Sequence, residues 1–505
     1  MALLAVTGLV VGLLLRHVVP YARGSGIPEV KYEFQTTPGA RLSLRTVVGK
    51  FVLGALAIGA GFSLGREGPT VQICAGLGAL LGRLTHQGTR ITRNLICIGA
   101  AAGIAAAFNT PIAAITFALE EIAGNLNQRL VGAIVVAAVA AAVVEHAILG
   151  GAPVFAIPAY AFGPWWELLV YGALGVVAGV IATVFVKTLL WMRGTVRRLD
   201  VLPPWTRPAV AGVVVGAIGV AFPAVLGIGY QTLSSALLGE FGFGTMAALG
   251  VAKLAATIVS YSWGLAGGIF APALYIGAMI GGSCGAIVHR LLPDAPNVVG
   301  SFALVWMGAF FAGAIRAPIT SILIIFEMTG DYAIILPLMV ANMIAYTIAM
   351  RWQPVPIYDA LLQQDGLHLA DHETAPLRRI RVDEAMTNVV ETAAPAEPLS
   401  NLLERLSQLG INAVPVVDVE GHLIGMVTMK DAARGSPAHT TADVMTRRVV
   451  TAFGDQTVEA AVLKMARHGV RQLPVVLRDD PRRIAGILAL QDVQVAANAS
   501  AARDR

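Results

Sequence analysis

The stretch Gly65-Arg66-Glu67-Gly68-Pro69-Thr70 interrupts an otherwise apolar run from Phe51 to Leu81. An ionisable pair is costly in hydrocarbon, so its presence within this run indicates a function. Gly68 and Pro69 end the preceding helix and suit the first turn of a new one, whose unpaired backbone N–H groups would face Glu67. Because such a helix start binds anions, we expect the Glu67 carboxylate to occupy the anion's position when ionised and to leave it when protonated.

A simpler interpretation gives the same stretch a purely structural role. Glu67 would then cap the new helix, and the Arg66 side chain would snorkel to the membrane interface. The hexapeptide alone does not separate the two interpretations. Features elsewhere in the chain are needed to do so.

The composition is that of an integral membrane protein. Of its 505 residues 56% are hydrophobic and 13% charged, and the mean hydropathy of +0.71 is too high for a soluble protein of this size. Long apolar runs without period-two alternation predict helices rather than a barrel. The 3 cysteines form no Cys-x-x-Cys pair, so neither a disulfide framework nor a metal site is indicated. The net charge of +5, concentrated in connecting loops, is typical of membrane topology rather than of a nucleic-acid surface.

The apolar segments alternate with short polar loops. The loop from Arg23 to Lys50 is basic, and the positive-inside rule places it in the cytoplasm. The pieces 51–64 and 71–81 on either side of the hexapeptide are shorter than the ~20 residues that span a bilayer, so we predict half-helices that meet at mid-membrane. The other apolar segments are 1–19, 95–122, 130–149, 168–191, 209–226, 246–262, 268–291, 303–325 and 333–350.

The membrane part contains a weak internal repeat. Landmark residues recur at an offset of 203 to 207: Gly24 and Gly227, Pro69 and Pro272, Pro111 and Pro318, Glu120 and Glu327. Agreement in spacing as well as in residue type favours a duplication over chance recurrence of glycine and proline. Paired discontinuous helices in the two halves of a transporter point to a binding site between the repeats.

Beyond Arg351 the composition becomes that of a soluble domain, and a second repeat follows. Met386 corresponds to Met445 and Pro415 to Pro474 at an offset of 59, and Asp431 corresponds to Asp492 at 61. Each unit has the pattern of a helix, two strands and a helix. The tail 497–505 is predicted to be disordered.

With these motifs in view, the membrane part resembles the CLC family of chloride channels and chloride/proton antiporters. The resemblance rests on the Gly-Ser-Gly-Ile-Pro run at 24, the Gly-Arg-Glu-Gly-Pro run at 65, the Gly-Ile-Phe-Ala-Pro run at 268 and a late tyrosine. The C-terminal pair resembles tandem CBS domains. The resemblance implies an all-α polytopic membrane protein with inverted internal repeats and broken half-helices, followed by a cytoplasmic α/β tandem CBS domain pair.

The resemblance also implies the domain boundaries. The CLC-like transmembrane domain would cover 1–362, with repeat halves of about 1–163 and 164–350. A linker at 363–380 would lead to CBS domains at 381–436 and 437–496.

For the anion site, the resemblance implies that the hydroxyl groups of Ser25 and Tyr358 and the backbone amides of Ile269 and Phe270 bind chloride. Hydroxyl and helix-start donors stabilise an anion without a full cation that would trap it. The same loops contribute Gly26, Ile27, Arg66 and Gly68. Taken singly, Ser25 is equally a helix cap and Tyr358 an interfacial aromatic, and Tyr346 is a rival for the tyrosine role. Serine at position 25 fits chloride better than nitrate or fluoride.

For protons, the resemblance makes Glu67 the external gating glutamate and Glu121 the internal proton glutamate, with Glu120 as a secondary residue beside it. Without the resemblance, an exposed acidic pair at a helix end is the favoured interpretation of Glu120 and Glu121. An acid at position 121 favours exchange of chloride for protons over a passive voltage- or pH-gated chloride channel. A CBS-regulated cation channel would need acidic ligands at mid-membrane, and an enzyme would need a catalytic cluster, neither of which stands out.

We expect a homodimer in the plasma (inner) membrane with chloride and protons as substrates, no nucleic-acid partner and no required cofactor. An adenine nucleotide would bind the CBS pair at Thr428, Asp431 and Asp492. Ala489 stands where the second copy would need a hydroxyl, so at most one complete adenosine site is supported. A purely structural or dimerising module is the alternative.

Some features depart from the expected pattern or leave alternatives open. The family has a further long helix before the one that starts here, and Trp263-Gly264-Leu265-Ala266 replaces its usual Ser-Gly-x-Pro. Lys50, Lys253 and Arg316 are cations in or beside apolar segments. They would either raise the potential along the anion path or pair with Glu29, Glu145 or Glu327.

Overall fold

The structure is a computed structural model that divides into two compact units, Met1–Leu369 and Ala370–Arg505. It describes residues 1–36, 39–124, 128–150, 154–155, 157, 164–199, 202–291, 299–367, 377, 380–436 and 438–503. Most of the predicted linker 363–380 and the last two residues of the predicted tail lie outside the described residues.

The first unit consists of helices joined by loops. Among its described residues, six helices are long and apolar enough to cross a membrane. In chain order the helices are α1 Ala2–His17, α2 Ile27–Gln35, α3 Leu44–Ala60, α4 Glu67–Leu84, α5 Thr89–Phe108, α6 Pro111–Phe117 with a π-helical segment Ala118–Ala123, α7 Gln128–Leu149, α8 Glu167–Arg197, α9 Arg207–Ala221, α10 Tyr230–Leu237, α11 Phe243–Ser262, α12 Phe270–Leu291, α13 Val299–Ile315, α14 Pro318–Thr329, α15 Ile335–Trp352 and α16 Ile357–Gln364.

The helix breaks fall at glycine and proline, as predicted, but the helices differ from the apolar segments. Helices α3 and α4 have 17 and 18 residues, so the predicted lengths of the pieces 51–64 and 71–81 are wrong. Helix α3 begins earlier because the Ser43 hydroxyl caps it by accepting from the N–H of Thr46. The predicted single segments 95–122 and 303–325 are each divided, at Asn109 (φ 52°) and Arg316 (φ 75°), because the proline two residues later cannot continue a helix.

The two halves of the membrane unit are related by the predicted repeat. Gly65 and Gly268 lie 203 positions apart in the chain. The N–H of each donates to the carbonyl of the other at 2.8 Å. This reciprocal pair joins the loop before α4 to the loop before α12, so it brings the equivalent broken helices of both halves to one place. The predicted inverted repeat is confirmed.

Two buried lysines hold equivalent loops in the two halves. The Lys50 ammonium donates to the carbonyls of Ala22 at 3.1 Å and Gly24 at 2.6 Å. The Lys253 ammonium donates to Val225 at 2.9 Å and Gly227 at 2.7 Å, and each of these residues lies 203 positions after its counterpart. Arg316 donates to the carbonyls of Ala349 and Gln353. Main-chain carbonyls, rather than Glu29, Glu145 or Glu327, are therefore the hydrogen-bond acceptors of these cations.

The halves also cap each other's helices. The Glu120 carboxylate accepts from the N–H groups of Ile319 at 3.1 Å and Thr320 at 2.8 Å, at the start of α14. The Glu327 carboxylate of α14 accepts from the N–H groups of Ile112 at 2.9 Å and Ala113 at 2.7 Å, at the start of α6. A carboxylate at a helix N-terminus satisfies orphan N–H groups and complements the helix dipole. The two capping arrangements are equivalent under the repeat.

The second unit consists of two similar half-units, residues 382–434 and 441–503. Its elements are α17 Val382–Ala385, α18 Leu399–Leu409, β1 Ala413–Val417, β2 Leu423–Thr428, α19 Met429–Arg434, α20 Thr441–Val444, β3 Ala452–Phe453, α21 Val458–His468, β4 Gln472–Val476, β5 Ile484–Ala489 and α22 Leu490–Arg503. Strands β1 and β2 are antiparallel, as are β4 and β5, and β3 pairs with β4 in parallel. Helix α22 extends into the tail predicted to be disordered, which is alanine-rich and so favours a helix.

The half-units exchange their opening segments. Thr387, near the start of the first half-unit, bridges Ile487 on β5, and Thr446 of the second bridges Met426 on β2. Leu377, Ile380 and Val382 accordingly pack in the core formed by the second half-unit. Each half-unit therefore depends on the other for a complete core.

Close helix packing in the membrane unit depends on glycine. Gly281 of α12 faces Trp306 of α13, whose side chain is fully buried. A Cβ atom at position 281 would overlap the Cβ of Trp306. The absence of a side chain lets the two helices approach, which is the packing that small residues provide in membranes.

We expect Gly281→Ala to destabilise the protein by about 1–3 kcal/mol, because a well-packed interior resists an added methyl group. The measurement is the thermal unfolding midpoint of the detergent-solubilised protein. Gly132→Ala is the matched control, since a Cβ at position 132 of α7 meets nothing within 4 Å and alanine favours the helix. An equal midpoint for the two variants would contradict the packing argument.

Candidate anion and proton site

Ser25 lies in a tight loop before α2. Gly24 and Gly26 on either side have φ values of 70° and 97°, which glycine adopts readily, and Gly26 is the N-cap residue of α2. The Ser25 side chain is 1% exposed, and its hydroxyl has no hydrogen-bond partner within the described part of the chain. A buried hydroxyl without a partner is costly, so this hydroxyl is available to donate to a bound group.

The start of α4 lies against this serine. A Cβ atom at Gly68 would overlap the Ser25 hydroxyl, so a larger residue at position 68 would displace the serine. Ile27, the first residue of α2, is fully buried. The structure therefore brings Ser25, Gly26, Ile27 and Gly68 together.

Tyr358 comes to the same place from the far end of the unit. It is the second residue of α16 and fully buried, and its hydroxyl also lacks a partner among the described residues. Tyr358 lies beside Ser25 and within electrostatic range of Glu67 and Glu121. Tyr346 is half-buried on α15, with its ring centroid 5.8 Å from the Arg316 guanidinium. Of the two tyrosines, the structure brings Tyr358 to Ser25.

The second half contributes the start of α12. Ile269 and Phe270 are fully buried, and Phe270 begins the helix, so the N–H groups of its first turn are not used within it. The Phe270 ring packs against three others, with centroid distances of 5.1 Å to Phe108, 5.9 Å to Phe117 and 4.3 Å to Phe311. These rings fix the helix start and keep water away from it.

Glu67 places its carboxylate at that helix start. The residue is the first of α4 and is 0% exposed. Its Oε2 accepts from the N–H of Ala271, in the first turn of α12, at 3.4 Å. The carboxylate of one half thus lies at the N-terminus of α12 in the other half, whereas the hexapeptide alone predicts that it faces the start of its own helix, α4.

Tyr230 holds the other carboxylate oxygen and was not among the residues predicted from the sequence. Its hydroxyl donates to Oε1 of Glu67 at 2.8 Å. The ring is held edge-on by Phe155 at a centroid distance of 5.6 Å. Tyr230 begins α10 after Gly229, as Ile27 begins α2 after Gly26, 203 positions earlier. The repeat offset of 203 was therefore the sequence signal by which Tyr230 could have been identified.

Arg66 makes no hydrogen bond to the hydroxyl groups of Ser25 and Tyr358 in the described part of the chain. Its side chain is exposed, donates to the carbonyl of Ala107 at 3.1 Å and has its guanidinium carbon 5.8 Å from the centroid of the Tyr230 ring. These contacts lie on the Tyr230 side of Glu67. The arginine predicted among the anion ligands thus contacts the tyrosine that binds the Glu67 carboxylate.

Glu121 is buried in the π-helical segment after α6, with 4% exposure. Its Oε1 forms an ion pair with the Lys31 ammonium at 3.0 Å. The same ammonium contacts the Asp359 carboxylate at 2.6 Å. Glu121 is therefore not part of an exposed acidic pair, and neither Lys31 nor Asp359 was predicted from the sequence.

Glu120 faces a different partner from its neighbour. Both of its carboxylate oxygens are engaged at the start of α14, where Oε2 also accepts from the Thr320 hydroxyl at 2.6 Å. This geometry is that of a helix cap. The structure thus separates the two adjacent acids, one capping a helix and one paired with Lys31.

A large cavity of about 1170 Å³ lies between the half-units of the second unit. Its described lining carries Lys430 and Arg471 and no acidic side chain, together with apolar residues such as Met426, Val470 and Leu490. Such a lining suits an anionic ligand with an apolar part.

The predicted nucleotide residues divide between this cavity and the helix starts beside it. Thr428 lines the cavity, whereas Asp431 and Asp492 do not. The Asp431 carboxylate accepts from the hydroxyl of Thr428 at 2.6 Å, and Asp492 accepts from the N–H of Ala489 at 2.8 Å. The cavity thus offers two cations, while the Thr428 hydroxyl is engaged with Asp431 and both carboxylates cap helices.

Comparison with known proteins finds a family for each of the two units. The profile of the voltage gated chloride channel family matches residues 7–350, and the CBS domain profile matches residues 382–437 and 442–497.

The chain is similar to several named proteins. It is 36% identical over 362 residues to a ClcB-like chloride channel protein of Ralstonia nicotianae, covering 71% of this chain and 84% of the relative. It is 32% identical over 386 residues to the H(+)/Cl(-) exchange transporter ClcA of Salmonella paratyphi A, covering 74% and 81%. Among solved structures, a slow cyanobacterial Cl-/H+ antiporter matches with a TM-score of 0.67 and 27% identity, covering 74% of this chain and 87% of that one. The chain therefore belongs to the CLC family of voltage gated chloride channels, and carries a tandem pair of CBS domains behind its multi-pass membrane unit.

Proposed function

We propose that this protein is a secondary active transporter that exchanges chloride for protons through a gating glutamate. The observation that carries the proposal is the Glu67 carboxylate, which is buried at the start of α12 and bound to Ala271 and Tyr230. The ClcA relative and the cyanobacterial structure, whose names describe exchange of these two ions, support it.

The central anion step follows from the donors around this carboxylate. Ionised Glu67 satisfies the helix-start donors and excludes chloride from them, because both anions require the same positive potential. Protonation removes that charge, so the side chain can leave and chloride can take its position. The hydroxyl groups of Ser25 and Tyr358 and the N–H groups of Ile269 and Phe270 would then hold the anion with neutral donors, from which it can be released.

The proton step requires a second titratable group on the inner side. Glu121 supplies it, because it is a buried carboxylate within electrostatic range of Tyr358 and carries an ion-pair partner. Chloride and protons would therefore share the region near Tyr358 and follow separate routes towards the cytoplasm. Glu120, as a helix cap, would support the geometry rather than carry protons.

A passive chloride channel is the second candidate, because one relative is named a chloride channel protein. It would use the same anion site without coupled proton movement. The protein would in either case act as a homodimer in the plasma membrane with the CBS pair in the cytoplasm, and transport ions rather than catalyse a reaction.

We infer further that the cavity of the CBS pair binds an adenine nucleotide. Lys430 and Arg471 would pair with its phosphates, and the apolar lining would take the base. Such a ligand would bridge the two half-units and so change their relative stability.

In liposomes that report both ions, we expect the native protein to pump protons uphill when a chloride gradient drives it. Glu67→Gln should keep chloride flux and lose proton movement, because the amide mimics the protonated carboxyl and cannot titrate. Glu240→Gln, an exposed acid in the same unit, is the matched control and should behave as the native protein. Dissipation of the chloride gradient by the native protein with no proton uptake would support the channel instead.

The hydrogen bond from Tyr230 leads to a second prediction. Tyr230→Phe should raise the chloride affinity at neutral pH by about tenfold or more, since a hydrogen bond to a charged group is worth about 1.5–3 kcal/mol and its loss weakens the competing carboxylate. Isothermal titration with chloride measures the affinity. Tyr332→Phe removes an exposed hydroxyl and should leave it unchanged. An unchanged affinity in Tyr230→Phe would show that the tyrosine does not hold Glu67 in place.

For the CBS pair, Arg471→Gln should weaken ATP or AMP binding to the full-length protein by roughly tenfold, the cost of about one charge-assisted hydrogen bond. Arg434→Gln is the matched control, because Arg434 is exposed on α19 outside the cavity lining. Equal nucleotide affinity in both variants, measured by calorimetry, would contradict phosphate binding by Arg471.

A further inference from the structure

Lys31 forms a three-membered charge cluster with Glu121 and Asp359. Its ammonium lies 3.0 Å from a Glu121 oxygen and 2.6 Å from an Asp359 oxygen. The side chains of Lys31, Glu121 and Asp359 are 12%, 4% and 26% exposed. The cluster is therefore largely shielded from water, where charge interactions are stronger than at a surface.

Each member of the cluster belongs to an element that carries or directly follows one residue of the proposed transport site. Helix α2 carries Lys31 and begins two residues after Ser25, which lies in the loop before it. Helix α16 carries Asp359 directly after Tyr358. The π-helical segment carries Glu121, and α2 packs against both this segment and α16. One ammonium thus joins the proton glutamate to the helices of both anion-binding hydroxyl groups.

The cluster has one positive and two negative groups, so its charge balance changes with the proton on Glu121. With both acids ionised, one carboxylate remains uncompensated. With Glu121 protonated, Lys31 and Asp359 form a neutral pair. Binding of a proton to Glu121 therefore weakens the attraction between Lys31 and Glu121 relative to that between Lys31 and Asp359. Because Asp359 lies on α16, Lys31 is then bound more firmly to that helix.

The other groups around Glu121 do not replace this partner. Besides Lys31 and Asp359, the adjacent Glu120 acts on it electrostatically, but its carboxylate is bound at the start of α14. Helix α5 approaches the segment with the Cys97 thiol, 3.9 Å from the carbonyl of Ala118. Helix α6 contains no titratable side chain. Among the described residues, Lys31 is thus the cation in contact with Glu121.

We propose that Lys31 is a positioning residue that couples the proton on Glu121 to the anion site, by bridging Glu121 to Asp359 beside Tyr358. This inference rests on the proposed exchange of chloride for protons. It assigns to Lys31 neither the transported proton nor the anion. Its role is to make the geometry around Tyr358 depend on whether Glu121 is charged.

The test compares Lys31→Met, Lys31→Arg and the control Lys187→Met in liposomes that report both ions, over a series of pH values. Lys187 is exposed on α8 and loses the same charge. We expect Lys31→Met to lower the number of protons moved per chloride by at least about half, and to move the pH profile of exchange about one unit higher, because two facing carboxylates without a cation favour protonation. Lys31→Arg should keep both properties close to native.

A double variant and a binding measurement separate coupling from folding. Adding Asp359→Asn to Lys31→Met should reverse most of the shift in the pH profile, since one of the two acids is then neutral. It should not restore the number of protons moved per chloride. The difference in chloride affinity between pH 5 and pH 7.5, measured by calorimetry, should shrink in Lys31→Met.

The possible outcomes distinguish this inference from the proposed function. If the native protein moves no protons, exchange itself is refuted. If the native protein exchanges but Lys31→Met keeps its ratio, pH profile and pH-dependent chloride affinity, Lys31 is only a structural cross-link and the inference is overturned. If Lys187→Met changes the ratio as much as Lys31→Met, the effect is one of net charge and the inference is likewise overturned.

Discussion

The central constraint in the membrane unit is that the buried Glu67 carboxylate must be stabilised in apolar surroundings. Its described partners are the first-turn N–H of Ala271 and the neutral hydroxyl of Tyr230, both from the second half of the chain. In the proposed exchange, neutral donors of this kind release an anion that a full cation would trap. The breaks in α3–α4 and α11–α12, the glycines at those breaks and the lysines that hold the loops all follow from this requirement.

The lysines illustrate how the requirement shapes the surroundings of the site. Lys50 and Lys253 are fully buried beside it, yet their ammonium groups are directed to loop carbonyls. Both ammonium groups therefore hydrogen-bond the backbone of the loops that precede α2 and α10. In the proposed function, these cations would support the anion site by fixing its loops while the anion's own ligands remain uncharged.

Most of the fold could be predicted from the sequence because glycine, proline and charge in an apolar chain have few physical explanations. The repeat offset of 203 identifies the equivalent loops of the two halves. The Gly-Ser-Gly and Gly-Ile-Phe runs indicate the starts of α2 and α12. The contacts that cross the chain were less accessible. Lys31 is recognised only when Glu121, 90 positions away, is in contact with it, and Glu120 and Glu121 look alike until the helix turns them to different neighbours. The repeat marks position 230 as equivalent to position 27, but only the folded structure shows that the Tyr230 hydroxyl binds Glu67. Helix lengths were misjudged because amphipathic turns extend beyond the apolar runs.

The reciprocal capping of α6 and α14 has a consequence for how the halves depend on each other. In each half, the first N–H groups of one helix find their acceptor in the other half. The acceptor is a glutamate: Glu327 for α6 and Glu120 for α14. A fragment that ends between the two halves would leave these N–H groups without their carboxylate acceptors. Each half therefore needs its counterpart to complete the start of one of its own helices.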